Sequence, residues 1–587
     1  MTYAAPLAEM RFALNAVADL PEIAKLPGYE EATPDLVDAI LDEAGKLAGE
    51  VLAPLNHPGD REGSVYENGV VRTPHGFREA YGQFVEGGWN ALPFDPDYGG
   101  QGLPWTLASA VQEIWHAANL SFGICPLLTA GAVELLQAHG NDAQKETYLP
   151  KMISGEWAGT MNLTEPQAGS DVGALRTKAE RNGDHYLITG QKIYITYGEH
   201  DFTENIVHMV LARLPDAPPG TKGISLFLVP KFLVNEDGAL GPRNDLRCVS
   251  IEHKLGINAS PTAVMAYGDS GGAIGYLVGE ENEGMACMFT MMNNARLAVG
   301  IQGVAIAERA YQQARAYAFD RVQSRPIEGG NGPAAIVRHP DVRRMLATMK
   351  AKTEAARALT YWAAAALDRA KREPDAERRA AQQALIDLLI PVTKSWCTDV
   401  GCDVASLGVQ VHGGMGFIEE TGAAQHFRDA RILPIYEGTN GIQALDLFTR
   451  KLLRDKGAAM TQLLMEMRAG LPAVNGNSDL AALRAPLAES LEALDRAAVW
   501  MLEEGGRNLA RGAASATAFQ SLFGVVLGGW LLAKAAQQNG DSDPSTLAGK
   551  IKTARFYAEN LLGEAAGLAE AVTGGADSTL AFGDEDF

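Results

Sequence analysis

Cysteine is scarce in this chain of 587 residues: Cys125, Cys248, Cys287, Cys397 and Cys402 are odd in number, scattered and without a C-x-x-C pair. That argues against a disulfide framework or a zinc centre, so no metal site is expected, and it fits a reducing compartment. Positive charge is also short. Against 72 acidic residues stand 50 basic ones, a net charge of -22, so a general electrostatic footprint for nucleic acid or anionic lipid is missing. No Walker motif occurs and no G-x-G-x-x-G stands at a strand-to-helix junction. A dinucleotide, if bound, is then not held by a Rossmann unit, while a flavin remains possible through another fold. The only G-x-S-x-G match to set beside His412-Gly413-Gly414 is Gly268-Asp-Ser270-Gly-Gly272, which lies between β-rich runs rather than at a strand-to-helix elbow and has no histidine segment of the protease type. Hydrolase readings fail on both counts, and a Gly-Asp-Ser turn explains the second.

Long apolar runs are few. The most apolar, Ser521 to Ala533, contains Gly524-x-x-x-Gly528; at about 13 residues it falls short of the ~20 that span a bilayer, so a buried helix without stable membrane insertion is expected. Met1 to Arg11 carries Glu9 and no apolar core of signal length, which makes the cytoplasm the expected location.

What is present is globular material, 47% hydrophobic and 21% charged, long enough for several domains. After an N-terminal extension (1–35), residues 36–161 read as helical, with Leu36, Ile40 and Leu47 on one face. Residues 162–284 change texture to short β-rich runs, His185–Thr189, Lys192–Thr196, Ile206–Val210 and Ile224–Val229. Helical periodicity returns over 285–455, where Leu297, Ile301, Val304, Ala307 and Tyr311 repeat at 3 and 4, lengths that suit a four-helix bundle. A linker and helix (456–479), including the loop Gly470 to Asp479, lead to an added helical domain (480–587) with Leu480, Leu483, Leu487, Leu491 and Leu494 in register. The expected class is α+β and multidomain.

One carboxylate stands out. Glu437 lies between Ile435-Tyr436 and Gly438; apolar flanks can raise its pKa and a missing side chain lets a substrate approach, so it is a candidate base. A loop or helix-capping glutamate is the competing reading. Asn162-Leu-Thr164-Glu-Pro-Gln-Ala-Gly169-Ser170-Asp171 offers hydroxyls and glycine-exposed amides able to bond a flavin or a phosphate, or it is a plain Ser/Thr turn.

Several separated blocks together resemble the acyl-CoA dehydrogenase family: Asp97-Tyr-Gly-Gly-Gln-Gly-Leu103, Leu163 to Asp171, Gly190-Gln-Lys-Ile-Tyr-Ile-Thr196, Gln410-Val-His-Gly-Gly-Met-Gly-Phe417, Arg428-Asp-Ala430 and Ile435-Tyr-Glu-Gly-Thr439. Their order and spacing match across residues 36–455. The resemblance implies a helical N-terminal domain, a β-barrel-like middle domain and a four-helix bundle, with the last helical domain as an addition. Within the family, the long form and the Pro6 to Phe12 start look most like the 3-methylmercaptopropionyl-CoA dehydrogenases of dimethylsulfoniopropionate demethylation, which form 3-methylthioacryloyl-CoA. Long-form enzymes of fatty-acid β-oxidation with another acyl specificity, and acyl-CoA oxidases, are the alternatives; a catalytically silent acyl-CoA-binding protein is a further one.

By that resemblance Glu437 is the base that removes the α-proton while a β-hydride moves to flavin N5, and the Glu437 N–H helps bind the thioester carbonyl. Ala295 stands where some relatives carry the base. The resemblance assigns FAD to Met161, Leu163, Thr164, Gly169, Ser170, Tyr194 and Thr196, to Thr439, and, from a neighbouring subunit, to Arg321, Gln410, Gly413 and Gly414. It assigns the acyl-CoA to Ser170, Asn293, Arg296, Tyr436 and Gly438. Four positions depart from the family pattern: Tyr194 for tryptophan, Asn293 for aspartate, Ser324 for phenylalanine and Gly441 for glutamine. A homodimer and an electron-transfer flavoprotein as electron acceptor complete the implied partners.

Overall fold

The computed structural model describes residues 3–473, 478–538 and 544–587; part of the loop Gly470 to Asp479 lies outside the described residues. The chain forms two compact units, one of residues 1–4, 44–103 and 118–295 and the other of 5–43, 104–117 and 296–587.

The first unit is organised by an eight-stranded sheet. Its order runs Leu246–Ile251, Thr262–Tyr267, His185–Thr196, Ala273–Val278, Ile224–Pro230, Asn205–Arg213 and Trp157–Asn162, with Lys178–Asn182 paired to His185–Thr196. The neighbours along this order are antiparallel except the last pair, Trp157–Asn162 with Asn205–Arg213. Val, Ile, Leu and Phe at alternate positions supply its dry face: Ile188, Val210, Phe227, Val229 and Met265 form one cluster. Asn205–Arg213 and Ile224–Pro230 read as continuous apolar runs because nearly every residue in them is buried.

The second unit is built on three long helices, Gly284–Asp320 (whose first turns belong to the first unit), Pro340–Arg372 and Ala376–His412. Leu509–Ala536 packs against the last two. The apolar run at Ser521 to Ala533 is therefore part of a helix of 28 residues, not an isolated stretch. Leu509–Ala536 and, in the other unit, Leu120–His139 are long and apolar enough to cross a membrane by length and composition, and their apolar windows are 83% and 89% buried within the fold. Burial accounts for their composition.

Candidate active site

Glu437 sits on a short loop between a turn, Arg431 to Ile435, and the helix Asn440–Asp446. Its backbone is left-handed at φ 57°, and Gly438 follows at φ 82°. A non-glycine residue there is strained, and such strain collects at functional positions. A Cβ at position 438 would meet the Gln443 amide at 2.9 Å, so glycine is required twice over.

The loop is closed by the Asn440 N–H donating to Pro434 O at 2.9 Å and by Gln443 Nε2 donating to Glu437 O at 3.1 Å. Thr439 caps the helix by accepting from Ile442 N. The backbone N–H of Glu437 itself makes no hydrogen bond among the described residues. Tyr436 Oη donates to Gln302 Oε1 on the first long helix.

Protein surrounds the Glu437 carboxylate densely, although the residue keeps an accessible edge. Burial raises it to about 7, against the pull of Lys394 and Arg296. Lys394, fully buried, is itself drawn down to about 7 by burial, against the opposing influence of Glu437 and Asp399. Asp399, although the residue keeps an exposed side, is raised to about 6 by the protein packed around its carboxyl, in spite of the hydrogen bond from Asn440. Asn440 joins these groups: its Oδ1 accepts from Lys394 Nζ at 2.9 Å, and its Nδ2 donates to Asp399 Oδ1 at 2.8 Å. Arg296 is buried and faces Asp446 at 3.4 Å.

Lys394, Asp399 and Asn440 are not among the site residues expected from the sequence. The visible signal was Lys394 itself, one charge in the apolar run Leu388-Leu-Ile-Pro-Val-Thr-Lys394; such a charge inside a buried face needs partners.

In the first unit, the residues expected to hold a flavin share one framework. Glu165 accepts from Arg176 N at 2.7 Å, Thr177 Oγ1 at 2.6 Å and Lys192 Nζ at 2.8 Å, and Lys192 also reaches Leu163 O at 3.0 Å. Ile193 N donates to Thr164 O at 2.9 Å. Leu163, Thr164 and Glu165 are thereby tied to the strand that carries Tyr194 and Thr196, with Met161 just before them and Gly169 and Ser170 just past the Glu165–Ala168 bridge. That strand has a bulge: Ala263 faces Ile195 while Met265 faces Lys192. Bulges re-aim side chains, and Tyr194, at φ 60°, is 61% exposed.

The hydroxyls of Thr164, Ser170 and Thr196 make no hydrogen bond among the described residues. A Cβ on Gly169 would meet nothing within 4 Å. Open hydroxyls beside an uncovered aromatic face suit a planar heteroaromatic ring with polar edges. Asn293 also lies in this unit and is half-buried.

Arg321, Gln410, Gly413 and Gly414 gather at one end of the second unit, where Tyr317 stacks on His412 with ring centres 4.5 Å apart. All four are exposed. A Cβ on Gly413 or Gly414 would meet open space, and Phe319, Val322, Ile327, Met415 and Phe417 are exposed apolar neighbours in sequence.

The acyl-CoA dehydrogenase N-terminal, middle and C-terminal domain models match residues 37–156, 160–269 and 282–452, and a model described as acetyl-CoA dehydrogenase C-terminal like matches 458–583. The chain is 49% identical to the 3-methylmercaptopropionyl-CoA dehydrogenase of Ruegeria pomeroyi, over 99% of each chain. It is 34% identical to a butyryl-CoA dehydrogenase of Syntrophomonas wolfei, over 96% of each. The fold matches the crystal structure of an acyl-CoA dehydrogenase complexed with FAD from Bacillus anthracis, TM-score 0.75, 23% identity, covering 96% of this chain and 91% of that one. This chain therefore belongs to the acyl-CoA dehydrogenase family, in a form that carries an additional C-terminal helical domain.

Proposed function

We propose that the chain is an FAD-dependent dehydrogenase that oxidises 3-methylmercaptopropionyl-CoA to 3-methylthioacryloyl-CoA, with Glu437 as the α-proton base. The observation that carries this is the setting of Glu437: a carboxylate raised to about 7, with one accessible edge, on a strained loop. An ordinary carboxylate is too weak a base for a thioester α-proton. Burial strengthens Glu437, and its free backbone N–H is a donor for the thioester oxygen, where negative charge develops as the proton leaves. Gly438 keeps the approach clear. Tyr436, fixed by Gln302, limits how the acyl chain lies beside the base.

Bound FAD would supply the acceptor for the β-hydride, so that proton and hydride together leave a C–C double bond. Thr164, Ser170 and Thr196 would bond its ring edges, with Tyr194 against the ring face and Met161, Leu163 and Gly169 lining the approach. Arg321, Gln410, Gly413 and Gly414 would hold its distal end from a second subunit, and Thr439 its phosphate. Asn293 and Arg296 would lie toward CoA. The exposed apolar residues around Phe319 and Phe417 support a homodimer. The working location is the cytoplasm and the electron acceptor an electron-transfer flavoprotein.

The choice of acyl group rests on the Ruegeria pomeroyi relative; the butyryl-CoA relative supports a second reading, a dehydrogenase of simple short acyl chains. Anaerobic mixing of holoenzyme with 3-methylmercaptopropionyl-CoA, pentanoyl-CoA (its sulfur replaced by methylene) and butyryl-CoA tests both. Flavin bleaching fastest with the thioether is the expected result; equal or faster bleaching by the straight chains favours the second reading. Peroxide release in turnover would mark an oxidase.

A further inference from the structure

The added C-terminal helices touch the chain at the place where the candidate base is anchored. Gln520, on the Leu509–Ala536 helix, donates from Nε2 to the carbonyl of Asn440 at 3.2 Å. Four residues further along the same face, Gly524 and then Gly528 receive the ring of Trp396; a Cβ at either position would lie 2.2 or 2.6 Å from it. Trp396 is on the third long helix beside Ser395, and that helix also supplies Lys394, Thr398 and Asp399 to the Asn440 side chain. A second lock follows at once. Phe448, just past the Asn440–Asp446 helix, packs where a Cβ on Gly512 would come within 2.1 Å of it.

The segment from Asn440 to Phe448 is thus clamped between the third long helix and the added helices. Its first residue closes the Glu437 loop through the bond to Pro434 O. We infer that the Leu509–Ala536 helix is a positioning element of the proton-abstraction site: Gln520, with the Gly524/Gly528 groove, fixes Asn440 and through it the angle and dryness of Glu437. This rests on the reading of Glu437 as the base. The Gly-x-x-x-Gly pair thereby acquires a role within the fold, as a socket for an indole.

The comparison that tests this is Gln520→Ala against Gln537→Ala, in the full-length holoenzyme. Gln537 lies just past the same helix and makes an equivalent bond, to Gly470 O at 3.1 Å, remote in sequence from the loop. Anaerobic flavin reduction by 3-methylmercaptopropionyl-CoA is followed across pH 5 to 9, with thermal melting alongside. Loosening the loop admits water to Glu437. The groups that act on it, Lys394 from the third long helix, Arg296 from the first and the adjacent Tyr436, remain in place, as do Asp399 on Asn440 and Asp446 on Arg296.

For Gln520→Ala the limiting reduction rate is expected to fall roughly ten-fold, a small misplacement of the base. Its acid limb should move down toward the ordinary carboxylate range, with the substrate dissociation constant little changed. Gln537→Ala is expected to keep the wild-type rate and limb. If the two variants lose melting temperature alike and both retain the wild-type rate and pH profile, the added helices are only a cover. Should Gln520→Ala not fold, Gln520→Met removes the donor and keeps the packing, and the same two outcomes apply. Glu437→Gln, run in parallel, separates the failures: if it bleaches flavin as fast as wild type, the base assignment is wrong, whatever Gln520 does.

Discussion

Burial acts on two glutamates of this chain, one in each unit, with opposite results. Glu165 is enclosed in the first unit; burial alone would raise its pKa, but the Lys192 ammonium, Thr177 and the Arg176 N–H overcome that and hold the carboxyl down at about 2. Glu437 has cations nearby as well, Lys394 and Arg296, yet burial wins and it rises to about 7. The difference is hydrogen bonding. Glu165 receives Lys192 Nζ, Thr177 Oγ1 and the Arg176 and Thr177 N–H groups directly, whereas the Lys394 ammonium is directed to Asn440. A carboxylate with its donors in place is a fixed strut; one whose cations are diverted is poised to take a proton.

The sharpest way to break the contrast is Glu437→Gln. Flavin reduction by acyl-CoA is expected to slow by about 10²–10⁴-fold, the usual contribution of a positioned base, with the melting temperature kept or raised. Stopped-flow absorbance checks the first and calorimetry the second. A variant that loses stability and keeps its rate would turn Glu437 into the strut and end the distinction.

Lys192→Met tests the other side. It strips the partner from a charge that is 4% exposed, and unfolding in urea is expected to show a loss of about 3–5 kcal/mol, as when one half of a buried ion pair is removed. The loop carrying Leu163 to Ser170 should loosen with it, so the variant is also expected to purify with less flavin. Unchanged stability would mean that Glu165 is held without Lys192 by its other donors, among them the Arg176 and Thr177 N–H groups and Thr177 Oγ1.

The two groups also predict opposite slopes of stability against pH. For Glu165 the folded pKa is depressed, so its contribution is present above about 4.5 and is lost as pH falls toward 2. For Glu437 the folded pKa is raised. Between about 4.5 and 7 the folded state holds the proton more tightly than the unfolded one, and stability falls as pH rises through that window. Urea midpoints of wild type and Glu437→Gln, measured from pH 5 to 8, are expected to diverge with increasing pH, the glutamine variant gaining. Parallel curves would remove the raised pKa from the account.

The strut and the base were unequally legible in the sequence. Glu437 announced itself by its neighbours, Tyr436 and Gly438, because apolar flanks and a missing side chain are local properties. The strand His185–Thr196 was visible from its β-branched and aromatic residues, but its bulge and the left-handed Tyr194 were not, since they depend on how Ala263 and Met265 pair across the sheet. Lys394 and Asn440 are 46 positions apart, and only helix packing brings them together. Gly524-x-x-x-Gly528 marks a buried helix in the sequence, but its partner Trp396 leaves no local mark. The helix ran longer than its apolar stretch because the alanine-rich turn before it, Leu509 to Ala518, propagates helix well while adding little hydropathy.

Thr439 offers the finest test of how the base is held. Its hydroxyl accepts from Ile442 N at 3.2 Å and caps a helix of only 7 residues. Losing such a cap costs about 1 kcal/mol, but here the orphaned N–H lies in the first turn after the Glu437 loop, two residues from Asn440. Because Thr439 is also proposed to hold the FAD phosphate, the variants are compared saturated with FAD: Thr439→Ala is then expected to lower global stability slightly and to slow flavin reduction by more than that loss implies, whereas Thr439→Ser, which keeps the acceptor, restores both. If the alanine variant loses only the cap's worth of stability, with its reduction rate intact, the loop is held by Asn440 and Gln443 without the cap. The strain at Glu437 would then be maintained from the helix side chains rather than from the helix end.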